Sequence, residues 1–418
     1  MKTPHLKVVG MLSTLLLFLL FSCSKDDSPS EPDAISNPIE NPNPDPEPEP
    51  EPDPDPNPDP DPDPESQSDI SSVDSAVQAF LDKYNVPGAA IAVSVNEKMV
   101  YTKGYGFSNL EQQTPTKFDD VFRVASLSKP FTATAIMKLV DEGGISLNDK
   151  VFGPDGILGD DFGTAVLTSN ELEITVDHLL IHGAGGWGTV SGDPIDRQPQ
   201  LDSDGFIEYI LNNWDLPNAP GTSFEYSNTG YWLLARIVEK VSGQSFEDYV
   251  WNMVGEAGIT SFKTTSFRQE DRESNEVEYY GTESDSQFIY TIASRRDGDG
   301  GVVISAPDML RFMCAVDGRS HRADIVSASS QSLMASPSEI SHLGRGLGTW
   351  EAQNLLFFTG SLPGTRTWFY IDTNGRSAVV LLNYRRFDLP EFDNDLNTLV
   401  YNLVKDNSIP WQTDLDQF

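Results

Sequence analysis

The chain has 418 residues, 38% of them hydrophobic, and it carries 64 acidic against 28 basic side chains, a formal net charge of -36. This length and composition allow one large hydrophobic core or two ordinary ones. Charge of this sign disfavours nucleic acids and anionic membrane surfaces as partners, because both would be repelled.

The first 22 residues have the pattern of an export signal. Two lysines precede an apolar run over residues 8–21, which is too short to span a membrane. The run ends at Leu20-Phe21-Ser22-Cys23, which resembles the lipobox of bacterial lipoproteins, although Phe21 is bulkier than the residue usual there. We therefore predict a lipoprotein signal over 1–22 and acylation of Cys23, and the alternative is an ordinary signal peptide with an incidental cysteine.

Residues 23–69 are predicted to form an acidic, proline-rich disordered linker. Every even-numbered residue from Pro42 to Pro64 is proline, and the residues between them are Asp, Glu or Asn. Alternating proline favours an extended chain of about 3.1 Å per residue. The stretch Ser24-Lys25-Asp26-Asp27 resembles the export tag of surface lipoproteins. It predicts an outer-membrane protein exposed at the cell surface, with the periplasmic face as the alternative.

The globular part is predicted to span 70–418, with strands at both ends and helices between them. A helical pattern covers 70–84, strand patterns cover 90–95, 99–107, 355–359, 367–372 and 377–384, and a closing helix covers 392–404. This order predicts an α+β fold in which both termini build one antiparallel sheet. A mainly helical lobe would be inserted between them, leaving a cleft between two lobes.

Ser126-Leu127-Ser128-Lys129 stands at the head of a predicted helix that ends at Gly143-Gly144. The Ser-x-x-Lys spacing puts the hydroxyl and the ammonium on one helical face, where an amine can help to remove the serine proton. The start of a buried helix also favours a developing anion. Alone the motif is weak, because an ordinary capping serine has the same pattern.

A second motif, Tyr226-Ser227-Asn228, lies in a loop before an apolar helix. Its surroundings, PGTSFEYSNTGYWLLARIVEKVSGQSFEDYV, and the surroundings of the first motif, FRVASLSKPFTATAIMKLVDEGGISLNDKV, are similar to the serine β-lactamase and penicillin-binding protein superfamily. The resemblance is to its class C-like branch, which includes D-alanyl-D-alanine carboxypeptidases and family VIII esterases. It covers about 70–405 and implies a β-lactamase-like two-lobed fold.

The resemblance implies a role for each residue of these motifs. Ser126 would be the acylated nucleophile and Lys129 the amine that activates it. Tyr226 would relay the proton to the leaving group, and Asn228 would bind the acyl portion of the substrate.

A third motif of that superfamily falls at Phe358-Thr359-Gly360 on a predicted strand. The resemblance implies that these residues bind substrate and that the backbone N–H groups of Ser126 and Ser361 form an oxyanion hole. The superfamily has Lys or His where this chain has Phe358. Since phenylalanine cannot bind a substrate carboxylate, the departure favours uncharged esters.

Three other features have simpler interpretations. Arg366 is a candidate for the missing cation, but its place at a strand start predicts an exposed arginine. His178 and His182 lie four apart on a predicted helix, a spacing that can bind zinc, but no Glu completes a zincin motif and no metal is predicted. The glycine-rich stretch 298–301 lacks the lysine of a phosphate loop and is predicted to lie beside the cleft.

The sequence therefore predicts a serine hydrolase that acts through an acyl-enzyme without metal or cofactor. We expect an esterase on small neutral acyl esters first, a D-Ala-D-Ala carboxypeptidase or D-amino-acid peptidase second, and a β-lactamase third. The expected partners are a small-molecule ester or peptide substrate and, through Cys23, a membrane. The rival from another class is a catalytically silent surface lipoprotein that binds a glycan or peptide. The presence of all four residues Ser126, Lys129, Tyr226 and Asn228 argues against it.

Overall fold

A computed structural model describes residues 69–418. The predicted signal 1–22, Cys23 and the linker up to residue 68 lie outside the described residues, so the domain boundary near residue 70 stays a prediction. Within 69–418 no helix is long and apolar enough to cross a membrane.

Helices occupy the middle of the described chain and flank its two ends. They are α1 (Ser71–Tyr84), α2 (Ser128–Asp141), α3 (Ser169–Glu173), α4 (Val176–Leu180), α5 (Ser203–Asn213), α6 (Asn228–Ser242), α7 (Phe246–Gly255), α8 (Ala306–Cys314), α9 (Ala328–Ala335) and α10 (Pro390–Lys405). The strands are β1 (Gly88–Val95), β2 (Lys98–Asn109), β3 (Thr114–Pro115), β4 (Val121–Arg123), β5 (Lys263–Thr264), β6 (Tyr280–Gly281), β7 (Val302–Ser305), β8 (Gly348–Trp350), β9 (Leu355–Leu362), β10 (Thr365–Asp372), β11 (Arg376–Leu382) and β12 (Tyr384–Arg385).

Strands from both ends of the domain form one sheet of seven strands. The order is β3-β2-β1-β11-β10-β9-β8, and every neighbouring pair is antiparallel. The N-terminal and C-terminal segments meet where β1 pairs with β11, with Ile91 opposite Val380. This topology confirms the predicted α+β fold. β9 runs three residues beyond the predicted strand, and this places Gly360 and Ser361 in the sheet.

Both faces of the sheet are buried, as the alternation along β1 shows. Ala89, Ile91 and Val93 pack into a core with α1 and α10, whereas Ala90 and Ala92 face the larger core that includes α2, α6 and α8. Alternate strand residues point to opposite faces, so one apolar run serves both layers. Burial of each large aliphatic side chain contributes roughly 1.5–3 kcal/mol, which holds the helices on the two faces.

A small three-stranded sheet connects the large sheet to the inserted helices. β7 pairs antiparallel with both β4 and β5, and Phe122 lies opposite Ile304. Because β4 ends at Arg123, this small sheet fixes where the chain enters the turn that carries Ser126.

Candidate active site

Ser126 lies in a single 3-10 turn, Ala125–Leu127, that leads directly into α2. Ala125 has a left-handed backbone with φ of 51°, which is uncommon for a residue other than glycine. Ser126 is half-buried, whereas the three residues after it are buried. The Ser128 hydroxyl donates to the Ala125 carbonyl at 2.7 Å and accepts from the Val302 N–H at 3.0 Å. The Ser128 contacts thus hold the turn against β7, and Ser126 remains the partly exposed serine of the turn.

Lys129 is fully buried beside that hydroxyl. Its Nζ lies 3.1 Å from Ser126 Oγ, 2.8 Å from Asn228 Oδ1 and 2.7 Å from the Asp299 carbonyl oxygen. Burial lowers the pKa of Lys129 to about 7, although the Asp299 carboxylate opposes this shift. A substantial fraction of the amine is therefore neutral at pH 7 and able to accept a proton.

The Tyr226 ring also lies beside the Lys129 ammonium. Lys129 Nζ is 4.9 Å from the centre of the Tyr226 ring, and this ring stacks on His182 with 4.4 Å between centres. Burial raises the pKa of Tyr226, and the nearby Ser126 hydroxyl only partly offsets this. The phenol therefore keeps its proton at neutral pH and can donate it.

His182 supports the tyrosine as a neutral ring. Its Nδ1 accepts from the Ser227 N–H at 3.1 Å, and burial lowers its pKa well below the usual value. α4 ends at Leu180, and His182 has a left-handed φ of 58°, so the prediction that His178 and His182 share a helix is wrong. Within 69–418 no group of three or more His, Cys, Asp or Glu side chains is placed to hold a metal ion.

Asn228 is held at the first turn of α6. The Asp193 carboxylate accepts from the backbone N–H groups of Asn228 at 2.7 Å and Thr229 at 3.3 Å, which satisfies donors at the helix start. Since an ammonium only donates, the Asn228 amide oxygen faces Lys129. The amide NH₂ is then the end that remains for an acyl oxygen of a substrate.

β9 passes directly beside the Ser126 turn. A Cβ on Gly360 would lie 2.1 Å from the Val124 carbonyl oxygen and 2.3 Å from Thr367 Oγ1, so only glycine permits this approach. The Thr367 hydroxyl also donates to the Val124 carbonyl at 2.8 Å. The structure therefore brings the third motif against the first, although Phe358 follows Lys129 by 229 positions along the chain.

A cavity of about 380 Å³ opens between β9 and the two loops that carry the other motifs. Its lining includes most of the predicted site residues: Ser126, Tyr226, Asn228, Phe358, Thr359 and Ser361. Lys129 lies beneath Ser126, and Gly360 of β9 packs against the Val124 carbonyl. The lining also contains residues that the sequence did not single out: Thr189, Arg296, Leu343, Phe357 and Leu362.

Arg296 is the charged residue of the described cavity lining. Its Nε and Nη2 both donate to Asp299 Oδ2, at 2.9 and 2.5 Å, and its Nη1 lies 3.3 Å from Asp196 Oδ2. Burial raises the pKa of Asp299 to about 6, although the Arg296 charge opposes this. The sequence signal for Arg296 is the concentration of charges next to the glycines at 298–301, where the sequence predicts a loop beside the cleft.

Arg366 differs from its prediction. It is buried at 5% exposure, and it donates to Asp393 Oδ1 at 2.8 Å and to the Gly360 carbonyl at 2.9 Å. The prediction of an exposed arginine is therefore wrong. The residue is absent from the described cavity lining, so it does not replace the missing cation at position 358.

This fold and this arrangement define a class of enzyme. A hydroxyl, a buried amine of low pKa and a protonated phenol converge on one cavity of an α+β domain. Such a set can generate a serine nucleophile and then protonate a leaving group. The class is that of serine hydrolases.

The chain belongs to the β-lactamase family, whose model matches residues 73–401. Protein flp of Staphylococcus aureus (strain NCTC 8325 / PS 47) is 25% identical over 349 residues, which are 79% of this chain and 66% of that protein, just under two thirds of its length. The structure of the octameric penicillin-binding protein homologue from Pyrococcus abyssi is 28% identical, with a TM-score of 0.59 over 76% of this chain and 74% of that one. The β-lactamase/D-alanine carboxypeptidase from Pseudomonas syringae shares the fold, with a TM-score of 0.62 at 19% identity over 80% of this chain and 98% of that one.

Proposed function

We propose that this protein is an esterase that hydrolyses small neutral acyl esters through an acyl-enzyme on Ser126. One observation carries the choice of substrate: the cavity has a phenyl ring at position 358, and its Arg296 is already paired with Asp299. A substrate carboxylate would lose its hydration there without gaining a free cation. A charge-assisted hydrogen bond is worth roughly 1.5–3 kcal/mol, so its absence weakens binding about ten- to a hundredfold.

Lys129 and Tyr226 take part in both halves of the reaction, the acylation of Ser126 and the hydrolysis of the acyl-enzyme. Lys129 accepts the Ser126 proton as the serine oxygen attacks the acyl carbon, and the N–H groups of Ser126 and Ser361 donate to the resulting oxyanion. Tyr226 donates a proton to the leaving alkoxide and recovers one from Lys129. Water then attacks the acyl-enzyme and gives a proton to this pair, which returns the proton to the Ser126 oxygen as its bond to the acyl carbon breaks and the acid leaves.

A substrate panel tests the proposal. The enzyme is given p-nitrophenyl acetate and butyrate, a D-Ala-D-Ala peptide and a cephalosporin, with Ser126→Ala as the inactive control. We expect the esters to have the higher kcat/KM by about tenfold or more, as the missing carboxylate contact requires. A preference for the D-Ala-D-Ala peptide would contradict the esterase and leave the serine hydrolase in place.

A second candidate, carboxypeptidase activity on D-Ala-D-Ala ends, is favoured by the outer contact of Arg296. Its partner Asp196 has a side chain that is 55% exposed, so a substrate carboxylate could displace it. In that case Arg296→Gln would abolish peptide hydrolysis and spare ester hydrolysis. Equal loss of both activities would argue against a carboxylate-binding role for Arg296.

We also propose that Cys23 anchors the enzyme to the outer membrane and that the linker projects the domain from the cell surface. The support is the signal pattern and the proline alternation of the sequence. Palmitate labelling should disappear in Cys23→Ala and persist in the control Cys314→Ala, whose cysteine is buried in α8. Protease added to intact cells should release the domain, whereas release only after the outer membrane is broken would indicate the periplasmic face.

A further inference from the structure

Three charged side chains form a compact cluster behind β9, which we call the Arg-Asp-Arg cluster: Arg366, Asp393 and Arg385. Arg385 donates to both carboxylate oxygens of Asp393, at 2.7 and 2.9 Å, and Arg366 Nε donates to one of them at 2.8 Å. The two arginine side chains are 6% and 9% exposed, and Asp393 is 36% exposed. The cluster joins β10, β12 and the first turn of α10.

Each arginine keeps one donor for β9. Arg366 Nη1 donates to the Gly360 carbonyl at 2.9 Å, and Arg385 Nε donates to Ser361 Oγ at 2.9 Å. These two bonds hold adjacent groups of one short segment from the same side. They therefore fix both the position and the rotation of the peptide between Gly360 and Ser361.

The direction of that peptide has a consequence for the cavity. In a planar trans peptide the C=O and the following N–H point in opposite directions. Because the Gly360 carbonyl points at Arg366, the Ser361 N–H points away from the cluster. Ser361 lines the cavity beside Ser126, so the N–H is directed at the place where an acyl oxygen develops charge.

The charges of the cluster do not balance. Two guanidinium groups share one carboxylate, which balances the charge of only one of them. The surplus positive charge lies behind a peptide whose carbonyl is already hydrogen-bonded to it. Hydrogen bonding to that carbonyl polarises the peptide and strengthens its N–H as a donor. The arrangement therefore resembles an electrostatic support for an anion on the other side of the strand.

We propose that the Arg-Asp-Arg cluster orients and polarises the Ser361 N–H for oxyanion stabilisation, which makes Arg366 and Arg385 positioning residues. The proposal rests on the acyl-enzyme chemistry of Ser126 and is independent of the preference for neutral esters. Neither arginine contacts the substrate. Their effect reaches the reacting oxygen through the peptide that they hold.

The test compares Arg366→Met and Arg385→Met with wild type in the full chain. The matched control is Arg386→Met, since Arg386 neighbours Arg385 but pairs with Asp388 at the surface. The readouts are the rate of Ser126 phosphonylation by a fluorophosphonate and the kcat/KM ratio between a p-nitrophenyl ester and its thiono analogue. Sulfur is a weak hydrogen-bond acceptor, so this ratio reports the oxyanion contact.

We expect both cluster variants to react about ten- to a hundredfold more slowly, which is at or below the roughly 10²–10³-fold loss of one complete oxyanion donor, because the donor stays but is less well held. The ester-to-thionoester ratio should fall with the rate while KM changes little, and Arg386→Met should stay within about twofold of wild type. Arg366→Lys and Arg385→Lys, which keep the charge, should fold if the Met variants do not, and should show a smaller fall in the same ratio.

Three outcomes are distinguishable. Folded variants that react at the wild-type rate, or that slow without a change in the ester-to-thionoester ratio, overturn the proposal. Normal phosphonylation of wild type with poor ester turnover overturns only the neutral-ester function. A wild type that no fluorophosphonate labels overturns both, because no reactive serine is then present.

Discussion

The amine nitrogen of Lys129 lies 3.1 Å from the hydroxyl oxygen of Ser126, within the range for direct proton transfer. An ordinary lysine, with a pKa of 10.5, would be protonated at neutral pH and could not accept the serine proton. Burial lowers the pKa of Lys129 to about 7, so the same helix that positions the amine also makes it a base.

The rate of acylation should therefore depend on pH through Lys129. Its pKa is lowered, so the reactive neutral amine dominates above about pH 7 and is lost as the pH falls. Below that value we expect the rate of phosphonylation to fall about tenfold per pH unit. Stopped-time labelling between pH 4.5 and 9 measures this. A labelling rate that still rises about tenfold per pH unit up to pH 9 would show that burial does not lower the pKa.

Asp193 provides a check that the fall of the labelling rate at low pH comes from protonation of Lys129. The negative charge of Asp193 raises the pKa of Lys129, so Asp193→Asn should move the midpoint to lower pH. The asparagine keeps an oxygen that can accept from the Asn228 N–H. If the midpoint of the pH dependence stays where it is or moves to higher pH, the titrating group is not Lys129.

Lys129 and Tyr226 should behave as one proton-transfer unit. Both adjoin the Ser126 hydroxyl, so removal of either interrupts the same path. We expect Lys129→Ala and Tyr226→Phe each to lower kcat by roughly 10³-fold, and the double variant to lose little more. Single-turnover kinetics on the four enzymes measure this coupling. Additive losses in log rate would mean that the two groups act in separate steps.

Local patterns predicted the terminal helices and the main strands of the large sheet, because helical and strand periodicity are properties of adjacent residues, but they did not predict the small sheet β4-β7-β5. The roles of the three motifs came from the resemblance to a known superfamily. Long-range contacts were not visible in the same way. The sequence around Arg366 predicts exposure because it does not show that Asp393 of α10 lies against this arginine. It also does not show that the loop of Arg296 and Asp299 packs against Lys129 and lines the cavity. His182 lies outside the predicted helix because its backbone is left-handed, and the spacing of the two histidines carries no information about backbone conformation.

Phe358→His should narrow the gap between neutral esters and substrates that end in a carboxylate. Phe358 lines the cavity and faces the larger core. A histidine at 358 supplies a hydrogen-bond donor, so the ratio of ester to D-Ala-D-Ala kcat/KM should fall about tenfold. Phe358→Leu, which removes the ring without adding a hydrogen-bond donor, is the control and should leave the ratio within about twofold. An equal response of both variants would trace the effect to general loosening of β9.

Gly360→Ala should separate the third motif from the first. The new Cβ would meet the Val124 carbonyl at 2.1 Å, and a backbone atom cannot swing aside, so β9 must move away from the Ser126 turn. We expect a loss of about 10²-fold or more in the rate of phosphonylation, because the Ser361 N–H moves with the strand. Gly255→Ala, at the end of α7 with open space around it, is the matched control and should retain full activity. Circular dichroism and thermal unfolding establish that both variants are folded. A folded Gly360→Ala enzyme with the wild-type rate would show that the oxyanion is stabilised elsewhere.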